Sequence, residues 1–201
     1  MPGLWRPFLA LLLTSAVIMG SPGPSTISAT AVGAAFGARR SLKYVSGLIL
    51  GTMAVLLAVA MGVAALVQSM PHGARALGVL SAAYILFLAF KIATAPPLET
   101  RDERAGDPAF AGGFLLAIAN PKAYLAIAAV FAGATLYAGD RGLDAFVKTA
   151  MLSGMIVIIH IAWLFAGVSL SRFLHDPVSS RAINVLLAAA LAITTLASFV
   201  R

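Results

Sequence analysis

Residues 19–26, "MGSPGPST", interrupt an apolar run that is otherwise long enough to cross a bilayer. A proline inside a helix removes one amide donor and clashes with the carbonyl one turn earlier. The glycine between Pro22 and Pro24 loosens the backbone further. Carbonyls are therefore freed inside an apolar segment, where each unpaired group costs several kcal/mol. Non-helical backbone survives at membrane depth only where it is buried in protein or lines a wet cavity. A second interruption, "NPKA" at residues 120–123, breaks an apolar run in the other half of the chain. Pro22 and Pro121 stand 99 residues apart in a sequence of 201. Two breaks at matching positions predict one shared cavity.

Working outward from these breaks, the composition fixes the setting. The chain is 61% hydrophobic and only 10% charged, with a mean hydropathy of +0.98. A soluble fold could not cover that much apolar surface. Crossing a bilayer takes about 20 apolar residues, and six segments qualify: 8–36, 44–67, 76–95, 109–138, 145–171 and 182–200. Arg6 ahead of the first segment resembles the start of a signal peptide, but apolar residues continue well past Gly20 and Ser21, so the segment reads as a span. Residues 96–108, "PPLETRDERAGDP", gather four of the seven acids and two arginines into a polar loop. That loop separates a first half, 1–95, from a second, 109–201, with three spans each.

An odd number of spans per half sends the two halves into the membrane from opposite sides. The expected fold is an all-α membrane protein of six transmembrane helices, a 3+3 inverted repeat with broken first and fourth helices. Basic residues divide seven against five between the two sides, which by the positive-inside bias places both termini outside the cytoplasm. The net charge of +7 is scattered over the ends of apolar runs without an aromatic-rich patch, so it reads as topology and not as a nucleic-acid surface.

Four stretches in order resemble the lysine exporter (LysE/RhtB) family of small bacterial amino-acid exporters: "SPGP", then "GARRSLKYVSGLILG" at 37–51, "AAYILFLAFKIA" in the third span, and "NPKA". The resemblance covers most of the chain. It implies a multi-pass exporter of the bacterial inner membrane, driving amino acids or related metabolites outward against the proton gradient. Relatives often carry an acidic residue early in the second span, where this sequence has Thr52, and an aromatic end to the fourth span, which reads "YLAIAAVFAGAT" here.

The charge inventory points to a neutral substrate. All seven acids lie in loops or at segment edges, so no carboxylate stands at membrane depth to meet a cationic side chain. Lys122 lies about midway along its segment, where a charge costs about 2.5–3.5 kcal/mol on insertion scales. It is expected to face the cavity and meet a substrate carboxylate or a carbonyl freed in the first span. Asn120 either orients the substrate or caps the broken half-helix. Lys91 stands four residues from the end of its span and either snorkels or joins the site. The hydroxyls of Tyr84 and Tyr124 either reach the cavity or pair with carbonyls. His160, in "IIHIAW", is the histidine expected at membrane depth, and it either carries a coupled proton or packs between helices. Gly33 with Gly37, and Gly47 with Gly51, have the spacing of close helix contacts, within one chain or in a homodimer.

No catalytic constellation competes. His72, His160 and His175 are far apart and form no metal-ligand pattern, and no cofactor motif is present. The absence of cysteine removes disulfides, thiolate metal sites and thiol redox carriage together. The expected substrate site therefore comprises Pro22, Gly23, Pro24, Tyr84, Asn120, Pro121 and Lys122, with His160 as the proton-coupling group. A non-transporting scaffold or channel-like subunit, in which the breaks only shape packing, stays open as the second reading.

Overall fold

Three helices open on a proline, at Pro24, Pro121 and Pro177, where the missing amide is one that a first helical turn leaves unpaired in any case. The computed structural model describes residues 5–62, 79, 83, 86, 87, 89, 90, 93, 94, 108–170 and 177–197. Among them the chain is helical: α1 (Trp5–Ile18), α2 (Pro24–Ala60), α3 (Phe110–Ala119), α4 (Pro121–Ala132), α5 (Arg141–Leu170) and α6 (Pro177–Ala197). Helices α2 and α5 are each long and apolar enough to cross a membrane. Helices α3 and α4 qualify together as a third span, bent by 61°. Helix α1 has 14 residues, and its exposed Trp5, Leu9, Leu13 and Val17 recur every fourth position as one outward apolar stripe.

Helix α2 consists of two rods joined at Gly37. That residue has φ 72° and ψ 174°, a region open essentially to glycine alone. Residues 37–43, expected between two spans as a connection, thus continue the helix beyond a sharp kink. Ser41 straps the kink by donating to the carbonyls of Val32 (3.0 Å) and Gly37 (2.6 Å). Gly37 takes no part in helix packing, since a side chain there would meet nothing within 4 Å.

The rod that follows the first break is buried at every residue from Pro24 to Ala34. Its side chains are small, and their hydroxyls find partners: Ser28 pairs with the Tyr44 hydroxyl at 2.6 Å, and Thr30 donates to Trp163 O at 3.2 Å. Small residues let backbones touch. A Cβ on Gly167 would strike Thr30 O, one on Gly33 would crowd Leu164 O, and one on Gly47 or Gly113 would strike the backbone of Phe110 or Tyr44. The close contacts of Gly33, Gly47 and Gly51 are thus made within one chain, α2 against α5 and α3. In a bilayer, burial against protein replaces lipid and not water, so such fit carries much of the association. One buried cluster joins Ile27, Tyr44, Leu48, Leu116 and Leu164. A second joins Leu11, Leu56, Ile127, Leu152 and Ile156.

Candidate functional site

Five residues separate α1 from α2, and most of their polar groups are satisfied locally. The amides of Met19 and Gly20 donate to Ser15 O, and the Trp163 indole donates to Gly20 O at 3.1 Å. The Ser21 hydroxyl donates to Ile18 O at 2.8 Å. Gly23 is extended, and the Thr26 hydroxyl reaches back to it, accepting from its amide (2.9 Å) and donating to its carbonyl (3.0 Å). The carbonyls of Ser21 and Pro22 find their partner further away in the chain.

The second break is a single residue, Asn120, between α3 and α4. Its Oδ1 accepts from the Lys122 amide at 3.1 Å, which caps α4, and its Nδ2 donates to Ser25 Oγ at 2.9 Å across to the first break. Asn120 therefore serves as cap and as bridge together. The Lys122 side chain makes the other crossing, donating to Ser21 O (2.6 Å), Ser21 Oγ (2.8 Å) and Pro22 O (2.7 Å). These oxygens lie just beyond the C-terminal end of α1, where the helix dipole favours a cation. Gly23 makes the room: a Cβ there would lie 2.6 Å from Lys122 Cδ and 2.8 Å from Nζ.

Between the breaks lies a cavity of ≈ 420 Å³, counting its open mouth. Its polar lining comes from Ser21, Ser25, Thr26, Thr52, Asn120, Lys122 and His160, with Gly23 beside them and Met19, Ile127, Ile156 and Ile159 among the apolar walls. His160 is buried, and its Nδ1 lies 2.8 Å from Ile156 O. A carbonyl only accepts, so the neutral ring carries its hydrogen on Nδ1 and leaves Nε2 as a lone pair. Nε2 has no hydrogen-bond partner among the described residues.

Two helix breaks hydrogen-bonded to each other thus border a cavity, and comparison with known proteins specifies the family. The family model described as LysE type translocator matches residues 16–198. The chain belongs to this family. It is 30% identical over 190 residues, 93% of each chain, to the cysteine/O-acetylserine efflux proteins of Salmonella typhimurium strain LT2 and Escherichia coli strain K12. The relative of the same name in Salmonella typhi is 35% identical over 100 residues, half of each chain. No solved structure matches this chain. The LysE-type translocator is thus a multi-pass membrane protein of a bacterial efflux family, a carrier and not an enzyme.

Of the residues expected from sequence, Gly23, Asn120, Lys122 and His160 line the cavity of this translocator. Pro22 contributes its carbonyl to Lys122, while Pro24 and Pro121 open the half-helices without lining the cavity. Tyr84, Lys91, His72 and His175 lie outside the described residues. Tyr124 packs against the second apolar cluster. Ser21, Ser25 and Thr26 were legible as hydroxyls flanking the first break, but only the fold shows them turned to the cavity. Lys148, which lies just inside the expected span 145–171 and was not singled out from sequence, is buried in α5, paired with Asp144 at 2.7 Å. Their i, i+4 spacing was the available signal. Among the described residues no group of three His, Asp or Glu side chains gathers to hold a metal ion.

Proposed function

We propose that this LysE-type translocator exports small neutral α-amino acids through the cavity between the two breaks, with cysteine and O-acetylserine, named for its relatives, as first candidates. The observation that carries the reading is the Lys122 ammonium. It stands beside the cavity on oxygens of neutral groups, with no carboxylate in contact among the described residues. A substrate carboxylate is attracted there, whereas a lysine or arginine side chain is repelled without compensation. Export is driven by the proton gradient, and His160 is the coupling group. Its free Nε2 offers a lone pair to a proton in a side chain whose ordinary pKa lies near neutrality.

The architecture behind this site is the six-helix inverted repeat, with halves 1–95 and 109–201 joined by the loop 96–108. Two features support it: each break is followed by a half-helix that opens on proline, and the two breaks are hydrogen-bonded to each other. Inverted repeats of transporters bring equivalent breaks together in this way.

Counterflow into liposomes containing the purified protein tests the function. Cysteine and O-acetylserine are expected to exchange at least about tenfold faster than lysine or arginine, and an imposed pH gradient is expected to drive net accumulation. A preference for arginine overturns the substrate class. Net accumulation that ignores the pH gradient overturns the coupling.

A further inference from the structure

The oxygen set around Lys122 is itself a binding site for a primary ammonium. Three oxygens meet one Nζ at 2.6, 2.7 and 2.8 Å, one for each of its hydrogens. Two are backbone carbonyls of the break, and the third, Ser21 Oγ, is held by its own bond to Ile18 O. The lysine reaches them from another half of the chain, 101 residues away, over a glycine that leaves space for it.

We infer that Lys122 is a tethered occupant of an ammonium subsite, and that a zwitterionic substrate enters by exchange. The substrate carboxylate draws Nζ off the three oxygens, and the substrate's own α-ammonium replaces it there. This rests on the reading of the cavity as the substrate site. Before exchange, one ammonium satisfies the oxygen set. Afterwards an ammonium still satisfies it, and Lys122 has gained a carboxylate. The first-turn amides of α2, at Ser25 and Thr26 on the cavity wall, offer the carboxylate further donors.

Each charge alone fails. A simple amine brings a second cation to an oxygen set that is already filled, and the two ammoniums repel. A simple carboxylate removes Nζ and leaves the three oxygens without a cation, so their charge-assisted hydrogen bonds are lost with nothing in their place. Only a molecule that carries both charges on one short backbone satisfies both halves of the exchange. Selectivity for α-amino acids over amines and acids follows from one lysine that must be displaced.

Ethanolamine, an amine without a carboxylate, is the probe. Isothermal titration is expected to show it binding the purified Lys122→Met protein at least about tenfold more tightly than the unmutated protein, because the subsite is vacated. Adding Ser21→Ala to that variant is expected to reduce the gain, since one of the three acceptors is lost. In the unmutated protein, acetate is expected to strengthen ethanolamine binding by holding Nζ away, a measurement that stands even if the variant does not fold. Equal ethanolamine affinity with and without the lysine overturns the exchange, as does indifference to acetate. Counterflow of amino acids without these amine effects rejects the exchange alone. Amine effects without counterflow reject the transport function and leave the subsite standing.

Discussion

Lys122 and Lys148 both belong to the second half of the protein and both turn their ammonium groups onto oxygens, Lys122 across to the first half and Lys148 within its own, and their surroundings differ in one respect. Lys148 meets a carboxylate, Asp144, together with Phe131 O at 2.9 Å, Ala134 O at 3.1 Å and the face of the Phe131 ring at 4.3 Å. Asp144 in turn accepts from the amides of Leu136 and Tyr137 at 2.6 and 2.9 Å. The whole package is neutral, and it ties the end of α4 and the segment after it to α5. Lys122 meets only neutral oxygens and stands at a cavity. A neutralised lysine has done its work once the chain is folded, whereas an unneutralised one remains available to an anion that arrives later.

The contrast breaks most visibly if Asp144 is removed. Asp144→Ala leaves Lys148 buried without its counter-charge and is expected to cost about 3–5 kcal/mol of stability, read by denaturation in detergent. Adding Lys148→Met should recover most of it, and transport per folded molecule should hardly change. Lys122→Met is expected to do the reverse. Transport should fall by about 100-fold with loss of a charge-assisted contact to substrate, while insertion holds, since a central lysine costs about 2.5–3.5 kcal/mol to insert. Exchange near the unmutated rate, in protein shown to be inserted, would return Lys122 to the same structural role as Lys148.

A finer test moves Lys122 without discharging it. In Gly23→Ala the added methyl presses on the flexible end of the lysine, so folding should be little affected and transport is expected to fall by about tenfold as Nζ is displaced from its oxygens. Smallest of all is the expected effect of His160→Gln on downhill exchange, which should stay close to the unmutated rate while dependence on the pH gradient weakens. A variant that keeps full pH dependence assigns the proton to another group.

Proline and glycine made the two breaks legible in the sequence, because the physics of an unpaired carbonyl in hydrocarbon needs no tertiary information. That Lys122 would meet a freed carbonyl of the first span was legible for the same reason: a cation and stranded acceptors were both expected at depth. Which oxygens it chose was not, because Ser21 and Pro22 become its partners only through the path of α1 into α2. The direction of the Asn120 amide toward Ser25 was equally hidden, since capping and bridging use different ends of one side chain. The pairing of Lys148 with Asp144 was not drawn from the sequence, because the edge of the apolar run at residue 145 falls between two residues that stand one helical turn apart.

Gly37 carries a consequence of handedness. Its φ of 72° and ψ of 174° are excluded for an L-residue by its own backbone, while the space around it is empty. Reflected through the origin, the same pair becomes an ordinary extended conformation, the one a D-residue would reach without effort. The junction of the two rods is therefore a chiral filter set by the residue's own backbone and not by its neighbours: it would accept a D-alanine in place of glycine and reject the L-alanine that has the same volume. Among the twenty encoded residues only the achiral one satisfies it, so the sharpest bend in α2 is specified by symmetry at a single carbon atom.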